Sequence, residues 1–144
     1  MEKLKRFADW RTRLNAVINE RRNTPFEWGQ HDCALWAAVA VNAMTGDDFA
    51  KDAIGSYTTE IGAYKCLSKI YGTDSLKEVF SSRFEEVHIS SARPGDLVYK
   101  NSNLFGFDCI LGVAYGTHSF FINEGEEGLV ELPTLIQDGC FRIG

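Results

Sequence analysis

The sequence has no long apolar run. Its longest, Cys33 to Val41, is nine residues, whereas a helix needs about twenty to cross a bilayer, so no membrane insertion is expected. The opening Met1-Glu2-Lys3-Leu4-Lys5-Arg6 is charged and no apolar stretch follows it, so no secretory signal is expected either. Positive charge is not in excess: 15 Lys and Arg against 20 Asp and Glu leave a net charge of −5 and a pI near 5.2. That balance argues against a protein that grips nucleic acid through its phosphates and against an anionic membrane surface as partner. The chain also lacks any close cysteine pair. Its four cysteines, at 33, 66, 109 and 140, stand 33, 43 and 31 residues apart, whereas zinc ribbons and fingers are built from close pairs. No metal and no cofactor are expected. The thiols read as reduced side chains packed as small hydrophobes in a protein made in a cytoplasm. An iron–sulfur cluster would require the fold to bring three or more of them together, which such wide spacing does not signal. Internal repeats and low-complexity tracts are absent.

What is present is the composition of one globular domain: 144 residues, 44% apolar and 24% charged, read as a single domain over 1–144. Its texture changes near residue 85, giving a helical half over about 1–84 and a β half over about 85–144. Phe7, Trp10, Leu14, Val17 and Ile18 share one helical face, and Pro25 stops that helix near Asn23. Asp32 is an N-cap type ahead of an all-round apolar segment that Gly46 terminates, which predicts a buried helix. A third helix is expected over Thr59 to Tyr71, with Ile61, Tyr64, Leu67 and Tyr71 inward, and a short fourth after the capping box Ser75-Leu76-Lys77-Glu78. Arg93-Pro94-Gly95-Asp96 reads as a turn into a strand at Leu97-Val98-Tyr99. Further strands are expected over Phe107–Tyr115, Ser119–Asn123, Leu129–Leu132 and Phe141–Ile143, and one around His88. Helices followed by antiparallel hairpins make an α+β domain.

The stretch richest in chemistry is Phe26-Glu27-Trp28-Gly29-Gln30-His31-Asp32-Cys33. A cysteine in the first turn of a helix faces the positive end of the helix dipole, which favours thiolate and so a nucleophile. Trp28 and Trp36 are expected to pack around that helix start. Glu124, Glu126 and Glu127 read as a solvated hairpin tip. Asp47-Asp48 is too sparse for a calcium loop, and Asp108-Cys109 repeats Asp32-Cys33 without a helix behind it.

Trp28-Gly29, Asp32-Cys33, Gly46, Arg93-Pro94-Gly95-Asp96-Leu97-Val98 and Leu111-Gly112-Val113, in this order, resemble the NlpC/P60 family of papain-like cysteine peptidases and amidases of cell-wall peptides. More narrowly they resemble a small phage-encoded branch associated with tail genes. The resemblance implies a papain-like fold with N-terminal helices packed on a C-terminal antiparallel sheet. It makes Cys33 the nucleophile and Gly95-Asp96 the turn that starts the first core strand. Aligned on Gly112, it puts Ile110 where the family carries its histidine base, and Asn123 where it carries its third polar residue. Ile110 cannot move a proton, which argues against hydrolysis. His31, two residues before Cys33, is the substitute base to consider, ahead of His118 and His88.

Two readings follow from the resemblance. One is a structural or assembly protein of a phage tail tip or baseplate, with a degenerate site, other tail proteins as partners and the virion as destination. Phe105, Phe107, Phe120 and Phe121 would be its partner anchors, because one ring of the adjacent pair must point away from the core. The alternative is an active thiol hydrolase of cell-wall peptides that uses Cys33.

Overall fold

A computed structural model describes residues 4–102, 107–122 and 125–144. Four helices come first: α1 (Trp10–Arg21), α2 (Cys33–Thr45), α3 (Glu60–Tyr71) and α4 (Leu76–Ser81). Six strands follow: β1 (Glu85–Val87), β2 (Leu97–Asn101), β3 (Cys109–Ala114), β4 (His118–Phe121), β5 (Val130–Pro133) and β6 (Gly139–Arg142). They form one antiparallel sheet in the order β1-β6-β2-β3-β4-β5. This is the α+β arrangement expected, helices on a C-terminal sheet. The strand expected around His88 ends at Val87, and the His88 imidazole instead accepts from the Ser90 amide at 3.1 Å, opening a short 3-10 turn over Ile89–Ser91.

Local signals set the helix ends. Asp32 caps α2 by accepting from the Leu35 amide, Thr59 caps α3 by accepting from Gly62, and Ser75 caps α4 by accepting from Glu78. Gly46 and Gly72 terminate α2 and α3 at φ 80° and 74°, a region where a side chain is strained. α2 lies between α1 and β3, with Trp36, Ala37, Ala40, Val41 and Met44 wholly buried. The Trp36 indole donates to the Phe120 carbonyl at 3.0 Å and so pins α2 to β4. α3 departs from expectation in its rotation: Ala63, Cys66 and Leu67 are its buried residues and Ile61 is exposed.

The sheet has apolar packing on both faces. Cys109, Leu111, Val113 and Phe120 join the main core with the helices. Val98, Ala114, Phe121 and Cys140 form a second, wholly buried cluster on the other face. Phe120 and Phe121 do point to opposite faces, but both rings are buried, so Phe121 is not the exposed anchor expected; it lies on Gly112, where a Cβ would come within 2.6 Å of the ring. Phe107 is buried as well, and Phe105 lies outside the described residues.

The ends of the chain are held by a buried ionic group. Asp96, wholly inaccessible, forms ion pairs with Arg6 and Arg142, each at 3.1 Å, and accepts from the amides of Arg93 and Ile143. Arg6 also donates to the carbonyls of Ile143 (2.6 Å) and Pro94 (2.7 Å).

Candidate functional site

Cys33 is the first residue of α2, directed at β3 by the packing of that helix on the strand. It belongs to the main core and is buried. The helix dipole favours the thiolate, but the surroundings act the other way. Burial, with the neighbouring Asp32 and Cys109 adding to it, pushes the thiol far above its ordinary range against the opposing amides of Leu111 and Ala34. Burial thus acts against the activation that the start of the helix favours.

Asp32 is wholly buried beside it. Its carboxylate accepts from Leu35 N–H (3.0 Å), Gly29 N–H (3.1 Å) and the Tyr57 hydroxyl (2.5 Å). Burial pushes its pKa up, and these donors oppose the shift. Burial also raises the Tyr57 phenol, with Asp32 as the next cause, so Tyr57 is a donor here and no base. The Gly55 amide donates to the Gly29 carbonyl at 2.8 Å. Gly29 itself sits at φ 83°, and a Cβ there would stand 1.9 Å from the Tyr57 carbonyl oxygen. The segment ending at Tyr57 is thus fitted onto the loop before α2. Behind Tyr57 lies an apolar cavity of about 30 Å³, with Ala34, Ala53 and Cys66 in its wall.

His31 is also buried, and its imidazole makes no hydrogen bond to Cys33. Nδ1 lies 3.3 Å from the Arg21 guanidinium, and Nε2 has no partner among the described residues. Burial, then Arg21, lowers its pKa to about 4. Its backbone pairs with Glu27 in a small bridge that shapes the loop before α2. Ile110 is partly buried and packs against both apolar clusters, while β3 contributes Cys109 and Leu111 to the core that holds Cys33. Asn123 and Glu124 lie outside the described residues. His118 is exposed, its Nδ1 3.1 Å from the Thr117 hydroxyl, and His88 is exposed in its turn.

The four cysteines do not converge. Cys33, Cys66 and Cys109 lie in the main core, but Cys140 lies in the cluster across the sheet. No group of three or more His, Cys, Asp or Glu able to hold a metal occurs among the described residues. Trp28 and Trp36 do pack around the helix start: Trp28 meets Phe26 edge-on at 4.9 Å and Phe107 at 6.0 Å. Asp108 caps α4, accepting from the Ser75 hydroxyl (2.5 Å) and the Lys77 amide (3.1 Å). Two partners carried no signal in the sequence: Tyr57, 25 residues from Asp32, and Arg6, 90 residues from Asp96. Their separation in the chain hides both pairings.

Residues 5–143 match a family model described as a domain of unknown function, DUF6950. The chain belongs to that family. No curated protein matches this DUF6950 chain. Among solved structures it is similar to the crystal structure of the NlpC/p60 domain of the peptidoglycan hydrolase SagA. The two are 17% identical, with a TM-score of 0.58, over 91% of this chain and 97% of that one. This DUF6950 domain therefore has an NlpC/P60-like fold, as its sequence motifs implied. No helix of the described residues is long and apolar enough to cross a membrane.

Proposed function

We propose that this DUF6950 domain is a non-catalytic relative of NlpC/P60 hydrolases that acts through its surface, as a structural or assembly component of a phage tail tip or baseplate. The observation that carries the loss of catalysis is the state of Cys33: a buried thiol, raised by desolvation, with no imidazole bonded to it. A cysteine hydrolase needs a base to take the thiol proton and return it to the leaving amine. Ile110 cannot do this, and His31 is turned to Arg21. The tail assignment is supported by the resemblance of the motifs to the phage-encoded branch, and by a charge balance unsuited to holding DNA.

The test has two arms. Wild type and Cys33→Ala are assayed on cell-wall peptides under reducing conditions; neither is expected to turn over. Turnover in the wild type that disappears in Cys33→Ala would establish the alternative, a thiol hydrolase with an unusual base. Purified virions are then analysed by mass spectrometry, with the protein expected in the tail. Its absence from particles, with normal tails in a deletion strain, would remove the structural reading.

A further inference from the structure

We propose that the arginines gathered around Asp96 bind a phosphate group, carried either by the free ion or by a phosphate monoester. Arg93 and Arg11 would hold it against the outer edge of the Arg6–Asp96–Arg142 group.

Charge is out of balance there. One carboxylate, Asp96, answers two guanidiniums, and the side chains of Arg6 and Arg142 are only 13 and 17% exposed. The group therefore holds one surplus positive charge largely out of water, which is costly unless an anion stands near. Nor can Asp96 satisfy both partners. Its oxygens already accept from Arg6 and from the amides of Arg93 and Ile143. Arg142 donates to the Ser91 carbonyl at 2.7 Å, but its buried Nε, 3.1 Å from Asp96, makes no aligned hydrogen bond among the described residues.

Two more arginines stand around this group. The Arg93 amide donates to Asp96, and Arg6 donates to the carbonyl of the next residue, Pro94, at 2.7 Å. Arg11 shares one indole with Arg6: their guanidinium carbons lie 4.6 and 4.2 Å from the centre of the Trp10 ring. Stacking holds the Arg11 guanidinium by its face and leaves its N–H edge for a ligand. Burial, and then the charges of Arg93, Arg142 and Arg11, lower the Arg6 pKa against the pull of Asp96, so the four charges are felt at one place. Arg93 and Arg11 are exposed, and neither is in an ion pair among the described residues. Two further acids belong to the neighbourhood. Asp9 is taken by Arg13 at 2.8 Å. Glu85 stands opposite Arg142 in the β1–β6 register, exposed and in no ion pair among the described residues. Several guanidiniums at one spot supply more charge than a carboxylate ligand answers, and they suit a dianion with oxygens on all sides. The net charge of −5 opposes a polyanion, but not one small ion at a local surplus. The site is independent of Cys33.

Titration of the full chain at about pH 8 and fixed ionic strength tests it, with inorganic phosphate, glycerol phosphate or acetate replacing chloride. About 10 mM phosphate should raise the melting temperature, as a ligand of the folded state does. It should also shift the backbone amide resonances of Ser91, Arg93 and Ile143 in a saturable way. Arg93→Ala and Arg11→Ala, at exposed positions and checked for folding by circular dichroism, should each weaken binding about tenfold. Glu85→Gln removes a competing charge and should tighten it. Lys65→Ala, on α3, should leave it unchanged. Glycerol phosphate bound as tightly as the free ion would assign the site to a phosphate on a larger molecule, and a preference for inorganic phosphate would assign it to the ion itself. An equal response to acetate would overturn the proposal. So would a response no greater than that to chloride, or one that survives in both arginine variants.

Discussion

The hydroxyl of Tyr57 donates to the buried carboxylate of Asp32 at 2.5 Å, closing the loop after α2 onto the residue that caps α2. This bond joins the helix start carrying Cys33 to a segment that otherwise presents mainly small side chains to the core. Hydrogen bonds to a charged group contribute about 1.5–3 kcal/mol. Tyr57→Phe is therefore expected to lower unfolding free energy by about that amount in urea titration, with little change in fold. Asp32→Ala removes the cap and leaves the Tyr57 hydroxyl unpaired, and should cost more. Equal stability of Tyr57→Phe and wild type would show that the bond contributes nothing net.

Asp96 is expected to be the most sensitive polar position. Removing one partner from a buried ion pair costs about 3–5 kcal/mol, because the other charge is left without compensation. Asp96→Ala strands Arg6 and Arg142 together, so its melting temperature should fall further than that of either Arg6→Ala or Arg142→Ala. A Tm within a degree or two of wild type would refute this.

Acid should destabilise the fold through His31. Its folded-state pKa, about 4, lies below the ordinary 6.5, so the unfolded chain binds the proton more readily. The contribution is fully present above about pH 6.5 and is lost as pH falls toward 4. It amounts to about 3 kcal/mol at most. Urea midpoints measured from pH 7.5 to 4.5 should fall over this window, and His31→Phe should flatten that part of the curve. An unchanged slope in the variant would assign the acid sensitivity to carboxylates instead.

Thiol labelling separates a sealed Cys33 from a reactive one. Burial raises Cys109 and Cys140 to about 12, and Cys33 higher still. At pH 8 their thiolate fractions are thus at least about a thousandfold below that of an ordinary thiol. Followed by intact mass, native protein should label first at Cys66, which lines the open groove beside α3, with the others reacting only on unfolding. Prompt modification of Cys33 in the folded protein would contradict its sealed placement and favour the hydrolase.

Features written into adjacent residues were legible in the sequence. Asp32, Gly46 and Ser75 mark helix ends because caps and left-handed stops are local chemistry, and Arg93-Pro94-Gly95-Asp96 marked its turn for the same reason. The face of α3 was not legible. Ile61, Tyr64, Leu67 and Tyr71 make a better stripe by hydrophobicity than Ala63, Cys66 and Leu67, yet the latter three face α2 across the apolar cavity and Ile61 is left outside. Cys33 shows the same limit in electrostatics. Its helix start could be read from the sequence, but its burial with Cys109 and Leu111 of β3, some 75 residues away, could not. His31 could be placed before the helix, but not against Arg21.

The Arg6 guanidinium touches Asp96 and the Ile143 carbonyl together, so the segments at Arg6 and Ile143 lie at one spot. A short flexible linker could join those ends into a circle, and the ring could be cut again at the exposed Glu126–Glu127 turn. Such a permuted chain would keep every strand pairing of the sheet while making β5 its leading element. In an assembly, it also means that anything fused to either end arrives from the same direction and leaves the rest of the surface uncovered.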